Sequence, residues 1–230
     1  MPKNKVVSVE EAISLIDSGM SIAVGGFLSQ GDPLTLIRAL NRTSVRDLTL
    51  YSICGGVRDR GIVELVRAGK VRKLVTSHIG TTPDVARAFH DGEIEVQLVP
   101  QGTLAEQLRC GGAGLGGFLT PTGVGTVVAE GKQHVDVDGV THLLEFAIKT
   151  DVALIRAHTG DYWGNLRYRG TGANYNPLCA TCAKYVVAEV QNIRSVGEID
   201  PESVHTQGIY VDAVVRSDVS YCDEAVAGVR

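Results

Sequence analysis

The sequence predicts an α/β protein built on an open, mostly parallel sheet with helices on both faces. Three observations carry this reading. Short apolar runs of strand length alternate with helical segments four times before residue 111. The first run, Ile22-Ala-Val24, is apolar without alternation, as suits a strand buried on both faces. It ends in Gly25-Gly26, and Pro33 then opens a helix carrying Leu34, Ile37 and Leu40, the strand–turn–helix step of a parallel sheet.

The elements follow in order. Ser8-Val-Glu-Glu11 is a capping box, with Ser8 as N-cap and Glu11 at the third helical position, and Gly19 closes the segment before the first strand. Asp47 to Ser52 reads as the second strand, Ile62 to Ala68 as a helix ended by Gly69, and Val71 to His78 as the third strand. Pro83 to His90 is a helix, Ile94 to Val99 an alternating strand, and Leu104 to Cys110 a helical segment. Gly111 to Gly125, with seven glycines and Pro121, reads as a long functional loop. Asp138-Gly139 between Gln133–Val137 and Val140–Glu145 signals a hairpin, so a small antiparallel excursion is expected near 132–146. Strands are expected over Asp151–Ala157, Leu166–Tyr168, Tyr185–Glu189 and Ile209–Val215, with a short helix from the Asn174-Tyr-Asn-Pro177 segment through Ala183. This makes residues 1–216 a single domain and 217–230 a tail that frays.

Composition narrows the function. A net charge of −4 and 5% aromatic residues give no case for nucleic acid or an anionic membrane. No apolar run reaches the length of a membrane span, and no signal-type segment follows Met1-Pro-Lys-Asn-Lys5, so a cytoplasmic protein is expected. Five cysteines, an odd number, suggest reduced thiols.

The loop after the first strand is the leading candidate site. Glycines at 25 and 26 remove side chains at the carboxyl end of a strand, where open parallel sheets bind ligands against backbone N–H groups. The helix N-terminus behind the loop would favour an anionic group. Other constellations carry less. Gly112-Ala-Gly-Leu-Gly-Gly117 matches GxGxxG but lacks the preceding strand and following helix of a dinucleotide site. Cys179-Ala-Thr-Cys182 has no second pair, so two small apolar residues on a short helix explain it better than a metal or redox site. His78 and His158 read as loop hydrogen-bonding residues, and the Arg67, Lys70, Arg72, Lys73 cluster as a solvated helix end. No metal site is expected.

The spelling of the glycine loop is more specific than its physics. Gly25-Gly-Phe-Leu-Ser-Gln-Gly-Asp-Pro33 resembles the GGFxxxGxP signature of the α subunit of family I coenzyme A (CoA) transferases. Pro100 to Thr126 resembles a second block of acetate and acetoacetate CoA-transferase α subunits, and Ser77-His-Ile-Gly80, Gly164-Asn165 and Asn174–Pro177 fit as well. The resemblance runs from about Ser8 to about Val215. It implies the CoA-transferase/isomerase-like fold, with CoA bound as substrate along Gly25, Gly26, Phe27, Leu28, Ser29, Gln30 and Gly31. It also implies oxyanion support from Gly114, Gly116, Gly117 and Phe118, with bare N–H groups holding the charge on a thioester oxygen. The family's nucleophilic glutamate belongs to a partner β subunit, so Glu106 here reads as structural or as a support behind the site residues. An α2β2 heteromer without a tightly bound cofactor is then expected, moving CoA between a short-chain acyl-CoA and acetate, butyrate, acetoacetate or another 3-oxo acid in fatty acid metabolism. The alternative is a non-catalytic CoA or sugar-phosphate sensor on the same fold.

Overall fold

In a computed structural model, residues 4–57 and 59–219 are described. The chain runs α1 (Val9–Ile13), β1 (Ser21–Val24), α2 (Leu34–Asn41), β2 (Leu48–Tyr51), α3 (Val63–Arg67), β3 (Val71–Thr76), α4 (Pro83–His90) and β4 (Glu95–Leu98). It continues through α5 (Gln101–Gly112), β5 (Gly117–Thr120), β6 (His134–Val137), β7 (Val140–Phe146), β8 (Thr150–Asp161) and β9 (Leu166–Arg167). The last elements are α6 (Asn176–Cys182), β10 (Ala183–Arg194) and β11 (Ala213–Arg216).

Seven strands form one parallel path in the order β11-β10-β8-β1-β2-β3-β4, and β9 adds antiparallel to β8. Register explains why helices cover both faces. Ile22 and Val24 on β1 align with Val152 and Leu154 on β8, and Leu154 aligns with Val187 on β10. These residues pack with Ala12, Leu36, Leu65 and Val85 from α1 to α4. The alternate positions, Ala23, Ala153, Val186 and Ala188, face the other way and pack with Leu108 of α5 and Cys179 of α6. Their small side chains let α6 lie close to β1 and β8, which positions the site described below.

Ser8 is the N-cap as read, its Oγ accepting from the Glu11 N–H at 3.1 Å, the N-cap half of the box. The hairpin also forms, Asp138 and Gly139 both taking positive φ (53° and 78°) as a type I′ turn requires. Two expectations change. The stretch 111–125 is not one loop, because α5 runs to Gly112 and β5 pairs antiparallel with β7, turning the hairpin into a three-stranded sheet, β5-β7-β6. Gly117 can enter this ladder because a Cβ there would lie 2.3 Å from the Glu145 carbonyl oxygen. The last strand is shorter than 209–215, since Gly208–Tyr210 is a 3₁₀ turn and Ile209 is 87% exposed. Of the expected tail, Ser217 and Val219 are tied to the sheet and Asp218 to Thr35 of α2, and 220–230 lie outside the described residues.

Leu154 is fully buried between β1 and β10. Leu154→Ala should therefore destabilise the protein by about 2–5 kcal/mol in urea unfolding, whereas a loss under about 1 kcal/mol would contradict this packing.

Candidate functional site

The sheet changes direction at β1. The chain steps from β1 outward to β2, β3 and β4, then returns to place β8 on the opposite side of β1. Ligands of open α/β sheets bind in the crevice at such a switch point, and Gly25–Gly31 leaves β1 there.

The loop is a small hairpin. Phe27 and Gln30 exchange both backbone hydrogen bonds, at 3.0 and 2.9 Å. Its two tip residues, Leu28 and Ser29, have φ of 49° and 65°, a left-handed conformation that costs a non-glycine residue about 1–2 kcal/mol. Strain of this kind persists where surroundings enforce it, and here α6 and its approach do so. Asn176 is fully buried; its Oδ1 accepts from the Arg156 N–H at 2.8 Å, and its Nδ2 donates to the Gly31 and Gly172 carbonyls. Asn174 donates to the Gln30 carbonyl at 2.8 Å.

Two of the glycines are now explained by close approach. A Cβ on Gly25 would lie 2.0 Å from Asn176 Oδ1, and one on Gly26, whose φ is +106°, would lie 1.9 Å from Asp32 Oδ1. The expectation of bare N–H groups is only partly met, because the Gly25 N–H is spent on the Leu154 carbonyl at 2.9 Å.

Under the hairpin lies a buried charge cluster that the sequence reading missed. Arg156 on β8 and Glu189 on β10 are register partners, both fully buried, with Nε to Oε1 at 3.6 Å. Glu189 Oε2 accepts from the Thr35 and Leu36 N–H groups at the start of α2. That helix end, expected to attract a ligand's anionic group, is therefore already occupied by a carboxylate of the protein itself. Arg156 also donates to the Asp32 and Val219 carbonyls. A single arginine inside one apolar strand and a single glutamate inside another was the available signal for this pair. Burial pushes the Glu189 carboxyl up, Arg156 opposing. Burial likewise raises Asp32 to about 7, against a lowering pull from Arg156.

The neighbouring strand ends close around the hairpin. Cys54 follows β2, and burial raises its thiol while backbone hydrogen bonding at Leu28 and Gly56 pulls the other way. Ser77 Oγ donates to the Ile53 carbonyl, and the Gly55 N–H donates to the His78 carbonyl. His78 makes the loop hydrogen bond expected of it, to Ser77 Oγ, whereas His158 lies within β8, which runs on to Asp161, and pairs with Thr159 Oγ1 on the strand. His158 also lines a cleft of about 590 Å³ with Arg167 and Arg194. Its pKa is lowered by burial first and then by Arg169, Arg167 and Arg194.

Gly114–Phe118 is not brought to this site. The start of α5 is tied to the hairpin's support, Tyr175 Oη donating to the Gln101 carbonyl at 2.6 Å. Its far end, roughly 18 Å along the helix, packs Gly112 on Thr181 and Gly111 on the Ile148 carbonyl. The glycines of the GxGxxG match thus serve helix packing (Gly112), a helix cap (Gly114) and the β5 ladder (Gly117). Gly114, with φ +73°, and Leu115 donate back to Gly111 and Cys110 as a Schellman cap. Glu106 pairs with Arg109 on the exposed side of α5. Cys179 and Cys182 are buried, with thiol pKa raised by burial, Cys182 to about 11, the reverse of a reactive thiolate. The cationic cluster is engaged too: Arg67 pairs with Asp59 and Asp84, Lys73 with Glu95, and Lys70 donates to the Thr43 and Val45 carbonyls. Among the described residues no group of three or more His, Cys, Asp or Glu could hold a metal, and no helix is long and apolar enough to cross a membrane.

A parallel sheet with a strained glycine hairpin at its switch point defines a ligand-binding α/β protein, and residues 6–217 match the Coenzyme A transferase family. The chain belongs to that family. It is 48% identical to the alpha chain of the acetate CoA-transferase of Escherichia coli K12, over 95% of this chain and 99% of that one. It is 42% identical to a succinyl-CoA:3-ketoacid coenzyme A transferase subunit of Helicobacter pylori J99, over 94% and 93%. Among solved structures it is similar to the acyl-CoA transferase YdiF of Escherichia coli O157:H7 in a thioester complex with CoA. The TM-score is 0.83 and the identity 27%, covering 96% of this chain and 48% of that chain, so this chain spans about half the length of YdiF.

The charge cluster predicts a pH dependence. Between the ordinary Asp value of 3.8 and the folded value of about 7, the native state holds a proton on Asp32 that the unfolded chain has lost. Stability should then fall as pH rises through that window and level off above it. Asp32→Asn should flatten this slope in urea unfolding from pH 4.5 to 8, and curves of equal slope for the two proteins would contradict it.

Proposed function

We propose that this chain is the α subunit of a CoA transferase. The enzyme moves CoA between a short-chain acyl-CoA and a carboxylic acid (acetate, butyrate or a 3-oxo acid such as acetoacetate). The observation that carries the reading is full-length similarity to subunits named for that chemistry, with the matching glycine signature folded into a hairpin at the switch point. CoA lies along Gly25–Gly31 as a substrate, and no resident cofactor enters the scheme.

The nucleophile comes from a β subunit, in an α2β2 assembly in the cytoplasm. Its glutamate carboxylate attacks the acyl-CoA carbonyl and expels CoA thiolate, giving an acyl–glutamyl anhydride. The thiolate then attacks the glutamyl carbonyl, releasing the first carboxylate and leaving a glutamyl-CoA thioester. The acceptor carboxylate reverses both steps and departs as the new acyl-CoA. Splitting one transfer into such steps is the established use of a carboxylate nucleophile. This chain contributes the rigid backbone that holds CoA while the glutamyl bond is made and broken.

The placement of Gly114–Phe118 at the far end of α5 lends no support to an oxyanion role beside the hairpin. No observation favours the sensor alternative.

Purified alone, the chain should transfer no CoA, and adding the β subunit should restore turnover. After incubation of the assembly with acyl-CoA, borohydride reduction should mark one glutamate on the β subunit, located by peptide mass spectrometry. Label on Glu106, or turnover by this chain alone, would overturn the two-subunit reading.

A further inference from the structure

The three-stranded sheet β5-β7-β6 has one face that this chain leaves uncovered. Its register sorts the side chains. Phe118, Thr120, Leu143, Glu145 and His134 share one face. On that face Leu143 and Glu145 are buried, and Glu145 is held by Gln107 Nε2 at 3.1 Å and by Lys132. That side is packed against the body of the protein.

The opposite face carries Leu119, Val135, Val137, Val140, Leu144 and Phe146, with Gly117 and His142. Nothing on it is an Asp, Glu, Lys or Arg. Val140 is 51% exposed and Phe146 70% exposed, Leu119 and Val137 are also exposed, and Val135 and Leu144 are half-buried. Of the sixteen large exposed hydrophobics among the described residues, four (Leu119, Val137, Val140 and Phe146) lie on this one face, so the exposure there is concentrated. Leu144 and Phe146 also touch a groove of about 400 Å³, but its walls include Gln107, Lys132 and the inward-facing Glu145, so it belongs to the body side of the sheet. A contiguous apolar face on the order of a few hundred Å² marks an interaction site on a soluble protein, and depletion of charge is the mark of an interface core.

We propose that this face of β5-β7-β6 is a docking surface for the partner subunit of the transferase, with Val140 and Phe146 at the two ends of its central strand. The inference rests on the two-subunit reading given above. The occupant is argued from length as well as from chemistry. In YdiF the matched fold fills 48% of a single chain, so there it is joined to further polypeptide of about its own size. In the separate-subunit relatives the match covers nearly the whole chain, so a partner of comparable size must come from outside. An uncovered apolar sheet face without a charged side chain suits such a partner better than a small ligand. It would also shield β5 and β6, the two edges of this sheet, which are otherwise open to pairing with other chains.

The test compares amide hydrogen exchange of the isolated full chain with that of the assembly purified through a tagged copy of it. Two variants, Phe146→Asp and Val140→Asp, are examined for assembly, with Leu15→Asp, a comparably exposed site just after α1, as control. Amides within 117–119, 135–137 and 140–146 should exchange at least about tenfold more slowly in the assembly. Each face variant should weaken association at least about a hundredfold while melting like the parent chain, and the control should assemble normally. An assembly in which these amides exchange as fast as in the isolated chain would overturn the docking surface alone. A homo-oligomer that protects the face would assign it to a second copy and overturn the partner. A monomer that turns over unaided would remove the two-subunit reading first, and this inference with it.

Discussion

The carboxyl edge of the sheet depends on a single buried amide. Asn176 touches three backbones that no ladder hydrogen bond joins: the Arg156 N–H on β8, the Gly31 carbonyl that closes the hairpin, and the Gly172 carbonyl that leads into α6. Each bond contributes about 1 kcal/mol net, but a buried group left without its partner costs about 1–3 kcal/mol. The asymmetry makes the amide a constraint more than a contact. It also dictates sequence elsewhere, because Gly25 can have no Cβ beside it. The small residues Ala23 and Ala153 beneath α6 let the helix sit near enough for Asn176 to reach.

Beneath the amide, the charge cluster couples three parts of the chain distant in sequence. Glu189 caps α2, Arg156 neutralises Glu189 across one strand pairing, and Asp32 joins the two where the hairpin returns to α2. A buried ion pair adds little stability over an apolar isostere, but removing one partner costs about 3–5 kcal/mol. Its consequence for function is exclusion. With the α2 N-terminus occupied from within, an anionic ligand group finds no charge there, and the hairpin is left to offer backbone shape. Bound CoA would therefore be held by the close approach that the glycines allow more than by a helix dipole.

Local signals were legible where the cause is local. The bounds of α4, Pro83 to His90, follow from proline at the first position and a clear apolar face. Ser8 and Asp138-Gly139 specify their cap and turn through chemistry within a few residues. The family spelling of Gly25–Pro33 pointed to the site, and Asn174–Pro177 was seen to match, but the role of Asn176 was not legible. It acts through groups 20 and 145 positions away. For the same reason β5 was hidden: Gly117 enters a strand only because Glu145 lies against it. Glycine-rich sequence signals a loop and a tight approach equally well. The separation of Gly114–Phe118 from the hairpin was likewise invisible, since the length and direction of α5 set it.

The central claim is that Asn176 holds the strained hairpin in its observed form. Amide exchange at Phe27 and Gln30 in Asn176→Ala, compared with the parent protein, tests it most directly, because those two amides bond only to each other's residue. The account predicts that both lose protection by at least about tenfold, while the core amides of Ala153 to Ile155 remain protected. Protection of Phe27 and Gln30 at the parent level in the folded variant would contradict it.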